Sequence, residues 1–406
     1  MQWLSKVMLR LLTGNILDRR NFVKTLKLRE ISELKTGPFG TQFSAKEYVS
    51  EGIPVINVKN IGYGKIISEG LDYVGNSTLE RLAEHKLKTG DIVFGRKGSV
   101  DRHCLITKEQ DGWMQGSDCI RVRLKDASVY SNFISYYLLT DAVKTKINNS
   151  AVGSTMASLN TDILGDIEIN LPSYDEQYKI ASVLSTIDQK IEKNNKINDY
   201  LCDQIQLLFS YFFNLSSVPE TWSKGVLSDI ADITMGQSPS GNSYNIIGKG
   251  CPFYQGSTDF GAIFPAIRMY TNKPSRYALA LDTLLSVRAP VGSLNIAFEN
   301  CCIGRGLASI HGKNDNNIFV RYLIKNNRWY FDNINNSGTT FGSITKDYLF
   351  GMPITIPEDK LVAMFEHKSS LIEQQIYANE QQIRELQSLR NWLLPVLMNG
   401  QATIID

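Results

Sequence analysis

Residues 153–172 read GSTMASLNTDILGDIEINLP, and residues 338–357 read GTTFGSITKDYLFGMPITIP. About seven of the twenty positions are identical, and most others exchange one apolar or small polar side chain for another. The offset is ungapped at 338 − 153 = 185 residues, and the tetrad INNS stands just upstream of both copies, at Ile147–Ser150 and Ile334–Ser337. A recurrence this long is not the 20–50-residue period of a solenoid. It marks a duplicated half-protein, so one architecture is expected twice.

Each copy runs into a helical pattern. Residues 174–213 contain no Gly or Pro and read as one helix; residues 358–399 read as a second, with Gly400 as its stop. In the first, Ile180, Leu184, Ile187, Ile191, Asn194, Asn198, Leu201, Ile205, Leu208 and Phe212 recur at alternating spacings of four and three. That is a coiled-coil seam. The 185-residue offset carries it onto Phe365, Ser369, Ile372, Ile376, Asn379, Ile383, Leu386, Arg390, Leu393 and Leu397. Asn194 and Asn379 thus hold equivalent seam positions, and polar seam residues fix register at a cost in stability. In an antiparallel pair with local twofold symmetry these two are expected to face each other. A helix of about 40 residues spans ~60 Å.

Around the helices lie two stretches of short β-type runs broken by Gly, Asn and Asp, at 23–173 and 219–357, with IPVINVKNI, DIVFGRKG and CIRVRL in the first and DTLLSVRAPVG in the second. Residues 1–22 form a helical segment whose LRLLTG (Leu9–Gly14) echoes PVLMNG (Pro395–Gly400), so it is expected to join the helical bundle. The fold expected is mixed α/β: two globular α/β domains separated by two long coiled-coil helices, with an internal repeat.

The bulk numbers exclude several classes. The 406 residues allow two or three domains, and 43% hydrophobic with 21% charged residues is ordinary for a globular chain. The net charge of +2 demands no polyanionic partner, so any basic patch is local or supplied by another subunit. Six cysteines show no CxxC and no spaced Cys/His set, so they read as reduced, buried thiols with no metal site. The apolar run near the N-terminus is broken by Arg10 and lacks a signal cleavage site, and no stretch is long enough to span a membrane. A cytoplasmic protein without a membrane partner is expected.

Two β-rich domains, each followed by a seam-forming helix, resemble the specificity subunit of type I restriction–modification systems. The resemblance covers nearly the whole chain and rests on phrases repeated in order: LREISELKTGPFGT, GIPVINVKNI and LKTGDIVFGRKGSV in the first half, LSDIADITMGQSPSG, DTLLSVRAPVGSLNIA and CCIGRGLASI in the second, and the duplicated motif closing each. It implies a DNA sequence-specificity subunit in which each domain reads half of a bipartite, asymmetric duplex site. The helix pair then sets the spacer and docks two methyltransferase subunits, through which restriction/translocase subunits join. No catalytic residue and no cofactor is implied. The sequence contains no phosphate-binding GxxxxGK[ST], strand–helix GxGxxG, HExxH or methyltransferase Asn/Asp-Pro-Pro-aromatic motif, and His85, His103, His311 and His367 form no constellation. The alternatives are a stand-alone DNA-binding regulator or scaffold without a methyltransferase partner, and an enzyme with an unrecognised site.

Reading DNA needs cations for phosphate and polar side chains on loops for base edges. In the first domain the candidates are Lys35, Thr36, Thr41 and Gln42 of KTGPFGTQF, Asn57, Lys59 and Asn60 of NVKN, and Arg96, Lys97 and Ser99 of GRKGS. In the second they are Gln237, Ser238 and Ser240 of MGQSPSG, Tyr254, Gln255, Ser257 and Thr258 of YQGSTDF, Arg288 of VRAPVG and Arg305 of GRG. The run LLFSYFF, with Leu207, Leu208, Phe209, Phe212 and Phe213, is more apolar than a two-helix seam requires. It either packs beneath the adjoining domain or docks a partner's helices.

Overall fold

The computed structural model of the chain describes residues 24–151, 158–213, 218–336 and 342–404, without the side chains of 333–336. The segment 1–22, including its LRLLTG echo, and the first residues of each copy of the duplicated motif lie outside the described residues. The chain forms two compact units, Met1–Lys190 with Glu385–Asp406, and Ile191–Arg384.

In the first unit a five-stranded sheet runs in the order Ser32–Thr36, Cys119–Leu124, Ile92–Gly95, His103–Leu105, Tyr63–Gly64. A four-stranded sheet runs Tyr48–Val49, Asp72–Val74, Ile53–Ile56, Met114–Gln115. Among the described residues, the second unit repeats the plan without a counterpart of the edge strand Tyr63–Gly64 and with a different edge strand, Tyr277–Ala278, on the other sheet. Four strands run Ala231–Met235, Leu307–Gly312, Thr283–Ser286, Leu294–Ile296, and five run Tyr244–Asn245, Tyr270–Thr271, Cys251–Tyr254, Cys301–Ile303, Tyr277–Ala278. The central runs are buried on both faces, which is why IVFG and TLLS read as continuous rather than alternating.

The duplicated motif is one device built twice. Asn160 caps the short helix Thr161–Gly165 by accepting from Ile163 N at 2.8 Å, and Thr345 caps Lys346–Phe350 by accepting from Tyr348 N at 3.3 Å. The strands that follow, Glu168–Leu171 and Pro353–Ile356, pair antiparallel with the strands that open each domain, Lys24–Lys27 and Ser223–Val226. Each pairing closes its domain and launches a long helix: α1, Tyr174–Phe212, and α2, Asp359–Met398. Gly400 ends α2 at φ 66°, with Gln401 N bonded to Val396 O and Gly400 N to Leu397 O, a Schellman stop.

The helices pair antiparallel within each unit. In the first, Arg390 at its seam position reaches Asp188 at 3.0 Å, and Asp188 also accepts from the Tyr136 hydroxyl at 2.8 Å. In the second, the seam holds buried Asn194, Asn198 and Asn379. The register differs from the facing Asn194–Asn379 pair expected from the sequence. Asn194 donates to Gln382 at 2.7 Å, and Asn379 donates to Asn198 at 2.8 Å. Asn198 in turn donates to Ile376 O at 3.4 Å, and Gln375 to Asn379 at 2.9 Å. The stagger gives each buried amide a partner, which direct opposition of one pair would not do for Asn198. A second difference lies at the end of α1, where the buried track runs Ile205, Phe209, Phe213, leaving Leu208 and Phe212 half-buried. The helix end turns its apolar face from the seam toward the domain core.

A carboxyl inside the second unit makes its stability pH-dependent. Helix Asn317–Asn326 has no cap from its own Asn316; instead the Glu366 carboxyl of α2 accepts from Phe319 N at 2.6 Å. Burial pushes Glu366 up to about 7, with Glu373 nearby adding to the shift. A carboxyl raised in the folded state stabilises fully below its ordinary value of 4.5, and that contribution is lost as pH rises through about 7. Glu366→Gln, which keeps the acceptor, should flatten denaturation midpoints between pH 4.5 and 7.5 and remove a swing on the order of 2–3 kcal/mol. An unchanged pH profile would show that Glu366 does not titrate there.

Candidate nucleic-acid interface

The same backbone bonds build one loop cluster in each unit. Leu159 N bonds Arg96 O at 2.9 Å, and Ile344 N bonds Val287 O at 3.0 Å. Isolated bridges join Lys97 to Ser158 and Arg288 to Ser343. Lys97 and Arg288 therefore occupy one position, again offset by 185 on the motif side. Arg96 N reaches Asp118 O at 2.8 Å and Val287 N reaches Gly306 O at 2.9 Å, which aligns Asp118 with Gly306 and Ser117 with Arg305. Gly116 N to Ile56 O at 2.9 Å and Gly304 N to Tyr254 O at 2.8 Å align Asn57 with Gln255.

In the second unit this cluster encloses a polar cleft of about 240 Å³ lined by Ser238, Gln255, Ser257, Thr258, Arg288 and Arg305. Six side chains singled out separately in the sequence meet there. The glycines are needed for contact: a Cβ on Gly236 would lie 2.2 Å from Gly304 O, and one on Gly306 2.5 Å from Gln255 O. The loop 255–259 is held by Asp259, whose carboxylate accepts from Gln255 N at 2.6 Å and from Arg268 Nε at 3.0 Å. Arg305 N donates to Ser238 Oγ at 3.3 Å. Gln237 is exposed, its carbonyl taking the Ser275 hydroxyl, and Ser240 is exposed, its carbonyl accepting from Ser243. Tyr254 is a correction: it is fully buried, facing the core cluster of Leu284 and Ile303.

In the first unit Thr41, Gln42, Lys97 and Ser99 are exposed, and Thr36 is half-buried on its strand. Other candidates are committed inside the domain. Asn60 is fully buried, donating to Ile67 O and Glu69 O and accepting from Asn57 N, so it braces the loop as Asp259 does. Asn57 donates to Asp72 at 2.8 Å, and Lys59 pairs with the same carboxylate at 2.8 Å. Lys35 is ion-paired with Glu84 and bounded by buried His85 and Arg121. Asn60 is thus a structural brace rather than a reading side chain, and Lys35 is held by a carboxylate as Lys59 is. Half-buried Arg96 leans over the ring of Phe39, 6.0 Å from its centroid.

The carboxylates Asp72, Asp118 and Asp259, which position or neutralise these loops, join the site only in the structure, as does exposed Phe39 in the first polar loop. An aromatic between glycines in TGPFGT was the available signal. Of the two readings of the LLFSYFF run, packing beneath the adjoining domain holds for most of it, which removes Phe209 and Phe213 from the docking candidates. Phe209 and Phe213 are buried against Phe319 and Phe365, and Leu208 and Phe212 pack on the same core. Leu207 stays exposed and shares that condition with Tyr211. The cysteines are free thiols; burial pushes Cys104 up to about 12 and His103 down to about 3, so neither is ionised near neutrality. Among the described residues no group of His, Cys, Asp and Glu is arranged to hold a metal, and no helix is long and apolar enough to cross a membrane.

Two copies of one α/β unit, each presenting a glycine-lined polar loop cluster and joined through paired helices, define a duplicated recognition protein. The family model described as "Type I restriction modification DNA specificity domain" matches residues 22–201 and again 219–384, and the chain belongs to that family. It is similar to a putative type I restriction enzyme MjaX specificity subunit of Methanocaldococcus jannaschii, 28% identical over 87% of this chain and 88% of the relative. It is also similar to the HindI specificity subunit of Haemophilus influenzae, 19% identical over 85% and 94%. Among solved structures, the type I S subunit from M. genitalium shares the fold, with a TM-score of 0.57 and 17% identity over 94% of this chain and 98% of that one. This chain is a type I restriction–modification specificity subunit.

Proposed function

We propose that each unit reads one half of a bipartite, asymmetric site in double-stranded DNA, while α1 and α2 set the spacer and dock two methyltransferase subunits. Restriction/translocase subunits join through those methyltransferases, and the complex works in the cytoplasm, where six free thiols persist and the chromosome lies. The observation that carries this reading is the loop cluster built twice on one set of backbone bonds, with different side chains in each copy. A shared scaffold with divergent loops is what reading two unlike half-sites requires. In the second unit Gln255, Arg288 and Arg305 supply the donors that base edges and phosphates accept.

The test exchanges residues 23–173 for the corresponding domain of a relative and maps the methylated motif in a host carrying the system. One half-site should change while the other half stays. A motif in which both halves changed, or neither, would overturn the modular reading.

A further inference from the structure

The two loop clusters share a backbone but not a charge balance. In the first unit the exposed lysines at the cluster, Lys97 and Lys59, each face a carboxylate of their own domain, while half-buried Arg96 leans over Phe39. Lys97 Nζ lies 3.1 Å from Asp118, and Lys59 Nζ lies 2.8 Å from Asp72, which also holds the Asn57 amide. The second unit has lost both counter-ions. Gly306 stands at the position of Asp118, and Met269 stands at that of Asp72, because Tyr244 pairs with Thr271 as Tyr48 pairs with Val74. Gln255 Nε2 reaches the Met269 sulfur at 3.8 Å rather than a carboxylate. Among the described residues no carboxylate pairs with Arg288 or Arg305, both exposed at the cleft.

Resting on the reading that these clusters bind DNA, we propose that the two units bind it unequally: the second supplies the free cations that anchor the duplex, and Asp118 restrains the first. Binding at the first cluster must replace the Asp118–Lys97 pair by a phosphate–Lys97 contact, and Asp118 itself repels the approaching backbone. At the second, Arg288 and Arg305 engage phosphate or base edges with no internal pair to break, and an arginine fork suits both. Pairs as exposed as Lys97 and Asp118, each about half accessible, are weak. The restraint therefore tunes affinity without abolishing it, and the first unit is left to discriminate through its neutral loop side chains.

The experiment measures duplex binding by the full chain assembled with its methyltransferase, across a series of salt concentrations, on DNA carrying the mapped site. Asp118→Asn should tighten binding by roughly three- to tenfold and steepen the log–log salt dependence by about one phosphate contact. Adding Lys97→Ala to Asp118→Asn should remove that gain. Arg288→Ala and Arg305→Ala should each weaken binding at least fivefold more than Lys97→Ala does, and flatten the salt slope by about one contact. All four side chains are exposed, and equal melting temperatures would show that the folds are intact. Equal losses for Lys97→Ala and Arg288→Ala, or no gain from Asp118→Asn, would overturn the asymmetry. Absence of duplex binding by the unaltered assembly would instead overturn the DNA-reading function on which it rests.

Discussion

Phe213→Ala should cost the second unit about 3–5 kcal/mol, the range for emptying a buried aromatic site. The ring sits 5.0 Å from Phe319, 5.1 Å from Phe209, 5.4 Å from Phe365 and 6.1 Å from Trp222, centroid to centroid. These contacts tie the last turn of α1 to the first turns of α2 and to helix Asn317–Asn326. Removing the ring leaves a cavity that two helices and a domain wall cannot all collapse into. A unit of this size should melt about 10 °C lower, and Phe209→Ala should behave alike. Leu207→Ala and Tyr211→Ala, on the exposed side of the same helix, should change stability by no more than about 0.5 kcal/mol. If docking uses this helix, they are the substitutions that reduce methyltransferase co-purification. A Phe213→Ala protein with an unchanged melting temperature and lost methyltransferase would return the run to a docking role and remove it from the core.

Lengthening both long helices by one heptad should lengthen the recognised spacer by about three base pairs. Seven residues add ~10.5 Å of helix, against ~3.4 Å per base pair, and preserve the alternation of four and three along the seam. The insertion points are between residues 190 and 191 in α1 and between 384 and 385 in α2. They fall between the Asp188–Arg390 pair and the Asn194–Gln382 pair and leave both intact. Methylation mapping should return both half-sites unchanged and further apart. An active double-insertion protein that kept the original spacer would reduce the helices to a docking platform. Inserting in α1 alone should instead misalign the asparagines, stranding Asn198 and Asn379 in the seam at about 1–3 kcal/mol for each unsatisfied amide.

The repeat, the two long helices and the membership of one recognition family were legible because they rest on patterns local in sequence. A 185-residue offset survives duplication wherever core positions must be refilled with like side chains, and a seam is written in spacings of three and four. The Asn160 and Thr345 caps and the Gly400 stop are legible for the same reason: each is decided within five residues. Among the candidate site residues, six polar side chains from separate second-domain loops, each recognisable by residue type alone, converge on one cleft.

What the sequence could not decide was which polar side chains face outward. Asn60 and Gln255 both lie just past a short strand in a Gly-containing stretch, yet one is fully buried as a brace and the other lines the cleft. The difference depends on a carbonyl seven residues along for Asn60, and on Met269 standing where Asp72 stands in the other copy. Lys35 looked available until Glu84, forty-nine residues away, was brought beside it.

The sequence by itself therefore determined the duplication, the element types, the helix seam and the family, since hydrophobic periodicity and capping act over one or two turns of chain. Tertiary structure alone decided the stagger of the asparagines, the burial of Phe209 and Phe213, and the pairing of Lys97 with Asp118. A hydrogen-bond partner, a core neighbour or a counter-ion is supplied across 20 to 180 residues of intervening chain, and a buried amide or charge takes the partner that leaves the fewest groups unsatisfied.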